Sequence, residues 1–192
     1  AEAAEAALMR FAREDVRYEN NVQHPDVIDA LFRAPHSDQS VPFKAHRIDV
    51  QGGTIAAVDF DMGRNGVAYH DLTPANHHIS DGGERVVWNP AMTYRNDGVD
   101  LGKGADGQLY VAGLQRGEWL KYTFDAGAGG SYRLALDGQG KGRVSLVLNG
   151  TLVNAVDRAR GFRGLVLAPG RNTLVVKGES GTVDLRTLRF SR

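Results

Sequence analysis

No cysteine occurs in the 192 residues, which excludes a disulfide-stapled scaffold and any cysteine-ligated zinc. The compartment stays open on that count, because secreted bacterial domains also do without cysteine. Net charge is missing too: 23 Lys and Arg balance 23 Asp and Glu. A general nucleic-acid binder needs a basic stripe to displace counterions, and a chain held on an anionic membrane needs a polybasic patch. The balanced composition predicts neither partner. Apolar runs reach only a handful of residues, against the roughly 20 of a membrane-spanning helix. The opening AEAAEAALMRFARED has neither the basic start nor the apolar stretch of a signal peptide, so a mature form or a fragment of something longer is expected. Proline is scarce at 6 while glycine reaches 24, the balance of a chain with many tight turns, as in sandwiches and barrels.

Two compositions share the chain. Near the start, Ala4, Leu8, Phe11 and Ala12 recur at helical spacing, with Glu2 and Glu5 early and Arg10 and Arg13 late, as a helix dipole prefers. A second helix is predicted from His24-Pro25-Asp26, with proline in its first turn, to about Arg33, presenting Val27, Ile28, Leu31 and Phe32. Two short helices cannot bury these stripes alone; residues 1–33 are expected to be the tail of a preceding catalytic domain. Residues 34–46, with two prolines and small polar residues, read as a linker.

From about Arg47 the period changes to two. Leu120, Tyr122 and Phe124 alternate with Trp119, Lys121 and Thr123, and the pattern recurs at Tyr132, Leu134 and Leu136, at Val144, Leu146 and Leu148, and at Leu174 and Val176. Turn signals separate the runs at 125–130, 138–142, Asn149-Gly150, Pro169-Gly170 and 178–181. Asn-Gly between two alternating runs is the strongest hairpin signal present, since both turn positions need φ > 0. Short strands about every ten residues, with no helical stretch among them, predict an all-β domain: an antiparallel β-sandwich of jelly-roll type over 47–192, preceded by the two short helices. Within Val183 to Phe190 the apolar phase slips from Val183 and Leu185 to Leu188 and Phe190, which predicts a β-bulge.

Catalytic signals are few. His70-Asp71 and His77-His78, with Asp81 and Glu84, could assemble a metal site, but their spacing matches no standard zinc pattern, and exposed loop histidines are the plainer reading. No nucleophile elbow, P-loop or dinucleotide fingerprint is present, and no acid pair for glycoside hydrolysis stands out by spacing. A metal-dependent enzyme using His70, His77 and His78 remains a third reading of the chain.

Residues 55–122 carry a more specific pattern. Ile55-Ala56-Ala57-Val58-Asp59-Phe60-Asp61, Gly66-Val67-Ala68-Tyr69-His70-Asp71, Tyr94-Arg95, Gly98-Val99-Asp100-Leu101 and Gly117-Glu118-Trp119-Leu120-Lys121-Tyr122 follow one another in order. With the later strands, the pattern resembles the family 6 carbohydrate-binding modules, β-sandwiches attached to secreted glycoside hydrolases, over about 145 residues.

That resemblance implies a sugar site in which two aromatic rings grip a pyranose and an asparagine of the last strand bonds its hydroxyls. The first ring falls on Tyr94, the second, usually tryptophan, nearest Phe162, and the asparagine on or near Asp184. Phenylalanine is a smaller platform, and an ionised aspartate accepts without donating. The plainer readings are a half-buried loop tyrosine, a core plug at Phe162 and a salt bridge from Asp184 to Arg186 or another arginine. Trp119 and Tyr122 are expected in the core. Trp88, on a connection longer than the family's, is either a third platform or a docking contact for a neighbouring domain. The family's structural calcium is expected to be lost or weakened, with no other cofactor. Ala56 and Val58 stand where its acids would be, and Arg186 stands at the late acid and fills the charge vacancy. The function so implied is non-catalytic. It is a bacterial module, secreted or periplasmic, holding a polysaccharide-degrading enzyme on a plant, algal or microbial polysaccharide, its partners being that glycan and the catalytic domain of the same polypeptide. The alternative is a structural module that has lost sugar binding and packs on its catalytic partner.

Overall fold

The computed structural model describes residues 2–21, 23–74 and 94–192. Helix α1 spans Glu2–Arg10 and continues in π-helical winding through Phe11–Asp15; α2 spans Pro25–Phe32, with its proline in the first turn as expected. Among the described residues nine strands follow: β1 Gly52–Ala56, β2 Tyr69–His70, β3 Leu101–Lys103, β4 Leu109–Gln115, β5 Trp119–Asp125, β6 Gly130–Leu148, β7 Thr151–Asp157, β8 Phe162–Leu167 and β9 Arg171–Ser191. Each pairing among these strands is antiparallel.

The long strands β6 and β9 pair along almost their whole length and organise the rest. One half of β9 is flanked by β5, which carries β2, while the same half of β6 carries β7. The other half of β9 is flanked by β1 and β4, and there β6 carries β8. Phe124 pairs with Asn172 near one end of β9, and Phe190 lies near the other. That stretch of strand would span about 60 Å if straight, yet the two ring centroids are 5.3 Å apart. The sheet therefore folds over on itself and its two halves face each other across one core, a β-sandwich. Leu120, Tyr122, Leu134, Leu146, Leu174, Leu185 and Leu188 fill that core, as their alternation predicts. The Tyr122 hydroxyl, buried, donates to the Ala57 carbonyl across the layers at 2.8 Å.

Two turn expectations are corrected. Residues 138–142 and 178–181 stay inside β6 and β9 rather than separating shorter strands. Glycines at 138, 140 and 181 adopt positive φ, so the backbone bends where side chains would stop it while the ladder continues; the fold-over happens here. At Gly140 a Cβ would come within 2.4 Å of the Thr182 carbonyl oxygen. Asn149 and Gly150 form the hairpin turn with φ of 48° and 83°. The phase slip in β9 is a bulge: Thr187 pairs with Asp137 and Leu185 with Gly138, leaving Arg186 as the extra residue.

At the N-terminus, α1 buries no residue and α2 buries only Asp26, whose Oδ2 accepts from the Asn96 N–H at 3.0 Å. Leu8, Phe11, Ile28, Leu31 and Phe32 are exposed. The stretch 34–46, read above as a linker, runs along the sandwich. Ala34 is buried, Val41 exchanges both backbone hydrogen bonds with Met62, and the Asp125 N–H donates to the His46 carbonyl. No described helix is long and apolar enough to cross a membrane.

Candidate functional site

The three described residues expected to form one site have separate surroundings. Phe162 opens β8 and is 3 % exposed, packed in the core. The expectation of a sugar platform there is corrected: pairing with Leu134 turns the ring inward, and a buried ring offers no face to a ligand. Tyr94 is half-buried at the edge of the sandwich, where its hydroxyl donates to Asp59 and accepts from Lys44. The Lys44 ammonium lies 4.9 Å from its ring centroid, and Phe43 packs edge-on at 5.6 Å. Trp88 lies outside the described residues, as do His77, His78, Asp81 and Glu84. His70 bonds Asn65 through Nδ1 at 3.0 Å and stacks on Trp119, which is half-buried on the outer face rather than in the core; Tyr122 is in the core as expected.

Asp184 lies elsewhere, in a groove of about 340 Å³ formed with Lys103, Gly104, Tyr110, Gln139 and Arg186. Two bulges shape it. β4 pairs Val111 with Leu185 and Leu114 with Val183, so it carries one residue more than β9 there. The Gly113 N–H freed by this bulge, at φ 69°, donates to Asp184 Oδ1 at 2.9 Å. Asp184 is thereby tied to the backbone and does not pair with Arg186. The β9 bulge aims Arg186 instead at Asp106, 2.8 Å away. The Gln108 N–H and this guanidinium hold the Asp106 carboxyl below its ordinary pKa.

Across the β3–β4 hairpin, Tyr110 pairs with Gly102, and its ring covers that glycine so closely that a Cβ would lie 2.2 Å from Tyr110 Cζ. The ring is held against the sheet and still lines the groove. The hydroxyl of Tyr110, the amide of Gln139, the ammonium of Lys103 and Oδ2 of Asp184 have no partner among the described residues. An aromatic face beside a few unspent polar groups is the composition of a small-molecule or sugar site. Tyr110, Gly102, Gln139 and Lys103 are not singled out by the sequence reading. The available signal was a glycine facing an aromatic across a short hairpin, which appears only once the register is known.

Around Tyr94 the electrostatics serve cohesion. Asp59 is buried and faces Lys44 at 3.3 Å and His46 at 3.6 Å. Burial opposes the charge on Lys44, but its bonds to Tyr94 and Asp59 outweigh burial and raise its pKa. Burial, then the bond to Asp59, raises that of Tyr94. Burial lowers that of His46 despite Asp59. Beside them Arg95 is fully buried. It donates to the carbonyls of Val58, Phe60 and Asp61 and to the Asp97 carboxylate, with Phe60 stacked 3.6 Å beneath it.

This arrangement bears on the calcium implied by the resemblance. Calcium takes six to eight oxygens, mostly carboxylates. Ala56, paired with Thr187, and Val58 offer no carboxylate, Arg186 is directed to Asp106, and Arg95 already uses the carbonyls after β1. Ala56, Val58 and Arg186 thus contribute no carboxylate oxygen to such an ion.

No protein-family model matches the sequence, and no curated protein matches it. Solved structures do. One match, at 13 % identity and a TM-score of 0.48, covers 78 % of this chain and 98 % of the other. A second is the C-terminal module of a marine laminarinase from Zobellia galactanivorans, at 15 % identity and TM-score 0.45, covering 73 % and 99 %. A third, from Clostridium stercorarium in complex with cellobiose, has 16 % identity and TM-score 0.44, covering 78 % and 99 %. All three are family 6 carbohydrate-binding modules. This chain is similar to them in its antiparallel β-sandwich.

Proposed function

We propose that the chain is a non-catalytic carbohydrate-binding module and that the groove between Tyr110 and Asp184 is its sugar site. One observation carries the reading: an aromatic ring held against Gly102, its own hydroxyl and three neighbouring polar groups having no partner among the described residues. A pyranose stacks its C–H face on such a ring. Gln139 and Lys103 then donate to its hydroxyls while Asp184, oriented by Gly113, accepts. The module keeps a secreted, polysaccharide-degrading enzyme on its polymer, raising the effective substrate concentration of a catalytic domain in the same polypeptide. It does so without the structural calcium, Arg95 holding the carbonyls after β1 instead.

A second reading has its own support. Buried Phe162 and the capped ring of Tyr94 favour a structural module that has lost sugar binding and packs against its catalytic partner. Affinity electrophoresis against β-glucans, xylans and galactans separates the two. Retardation by at least one polymer, weakened about tenfold in Tyr110→Ala with the thermal midpoint unchanged, is expected. Retardation that Tyr110→Ala leaves intact would move the site elsewhere, and no retardation by any polymer would leave the structural module.

A further inference from the structure

On the outer face of the layer formed by β8, β6 and β9, three arginines stand side by side. In β6, Tyr132, Leu134 and Leu136 point inward, while Arg133, Ala135 and Asp137 are exposed. β8 pairs Leu165 with Tyr132 and Phe162 with Leu134, so Arg163 and Gly164 together oppose the single residue Arg133. On the other flank Arg189 pairs with Ala135, one diagonal step from Arg133. Adjacent strands lie about 4.8 Å apart and diagonal neighbours about 7–8 Å, so the three cationic side chains rise from one small area. All three are exposed, and none is ion-paired among the described residues. Asp137 is the acid on this stretch of β6, and it stands opposite Thr187, four residues along from Arg133.

Like charges directly opposite each other across a ladder are destabilising. Among the described residues no acid is paired with Arg133 or Arg163; an anion would offset their repulsion. At the edge of the row, beside Arg163, lies an open cleft of about 500 Å³ lined by the half-buried Val153 and Val156 and by Arg160. It supplies apolar surface for a sugar ring next to guanidiniums whose planar fork grips oxyanions in pairs. We propose that this face binds an anionic polysaccharide, carrying sulfate or carboxylate groups along its length, with Arg133, Arg163 and Arg189 as the contact residues. The choice of a glycan rests on the carbohydrate reading above. The apolar cleft favours it over a nucleic acid.

The test uses the purified chain in affinity gels containing dextran sulfate, polygalacturonate or neutral dextran, with filter binding to random duplex DNA alongside. Retardation by dextran sulfate assigns sulfate as the group recognised, and retardation by polygalacturonate assigns carboxylate. Either should weaken about tenfold or more as salt rises from about 50 to about 500 mM. It should survive Tyr110→Ala and fall at least about tenfold in the Arg133→Ala, Arg163→Ala double variant. Arg163→Glu is expected to abolish binding while raising the thermal midpoint by a few degrees, because it faces Arg133 with the opposite charge. Indifference to both anionic polymers in a protein that still binds a neutral glycan would overturn this proposal alone. Retention on DNA equal to or tighter than on the glycans would also overturn it, as would unchanged binding by the double variant.

Discussion

Burial penalises the charge on Asp71 and raises its pKa from 3.8 to about 6, with Glu118 and Asp100 adding repulsion against the opposing Thr73 N–H. The unfolded chain releases this proton near pH 4, whereas the native protein holds it until about pH 6. The native state therefore binds more protons in that window, and stability falls as pH rises through it. Asp97 and Asp100, both raised chiefly by burial, act in the same direction. Asp71→Asn keeps an acceptor for the Thr73 N–H at 2.7 Å. It is expected to flatten the pH slope and add about 1 kcal/mol at pH 7, a figure reduced for solvent screening of a partly buried group. Urea denaturation across about pH 4 to 7 checks it; a slope as steep as wild type would place the titration elsewhere. Such effects are invisible in a residue list, because the identity of Asp71 says nothing about how much protein surrounds it. For the same reason Phe162 reads as a platform in sequence and is a core residue in the fold.

At the scale of elements, much was legible. Asn149-Gly150 demanded a two-residue hairpin because both positions require positive φ, and the phase slip before Leu188 demanded a bulge because a strand's side-chain period is two. The glycines of 138–142 and 178–181 were ambiguous: the same residues that permit a turn also permit a bend in a continuing strand. Contacts between β6 and β9, far apart in sequence, select the bend. Gly140, at φ 85° with the Thr182 carbonyl in the space a Cβ would fill, makes that choice testable. Gly140→Ala is expected to destabilise the sandwich by about 2 kcal/mol or more, through backbone strain and a clash that must be relieved. Equilibrium denaturation with an unchanged midpoint would mean that the bend does not pass through this residue.

For the whole molecule, the decisive feature is a buried cation supplied by the chain. Arg95 satisfies the carbonyls after β1 and one carboxylate of its own loop, over a phenylalanine ring. A protein held this way is expected to gain nothing from calcium by mass action. Thermal unfolding is expected to show the same midpoint, within about a degree, in chelator and in millimolar calcium. A fall of several degrees on chelation would restore the metal.

Composition, periodicity and turn chemistry by themselves determined an antiparallel β domain with two helices before it, because each of these signals acts over a few residues. The gathering of side chains was decided only by tertiary structure. Tyr110 meets Gly102 and Asp184, Lys44 caps Tyr94, and three arginines come together on one face of a chain whose charges sum to zero. Cross-strand register and the fold-over of β6 and β9 make those meetings, and both arise from pairings between distant segments that no local pattern specifies.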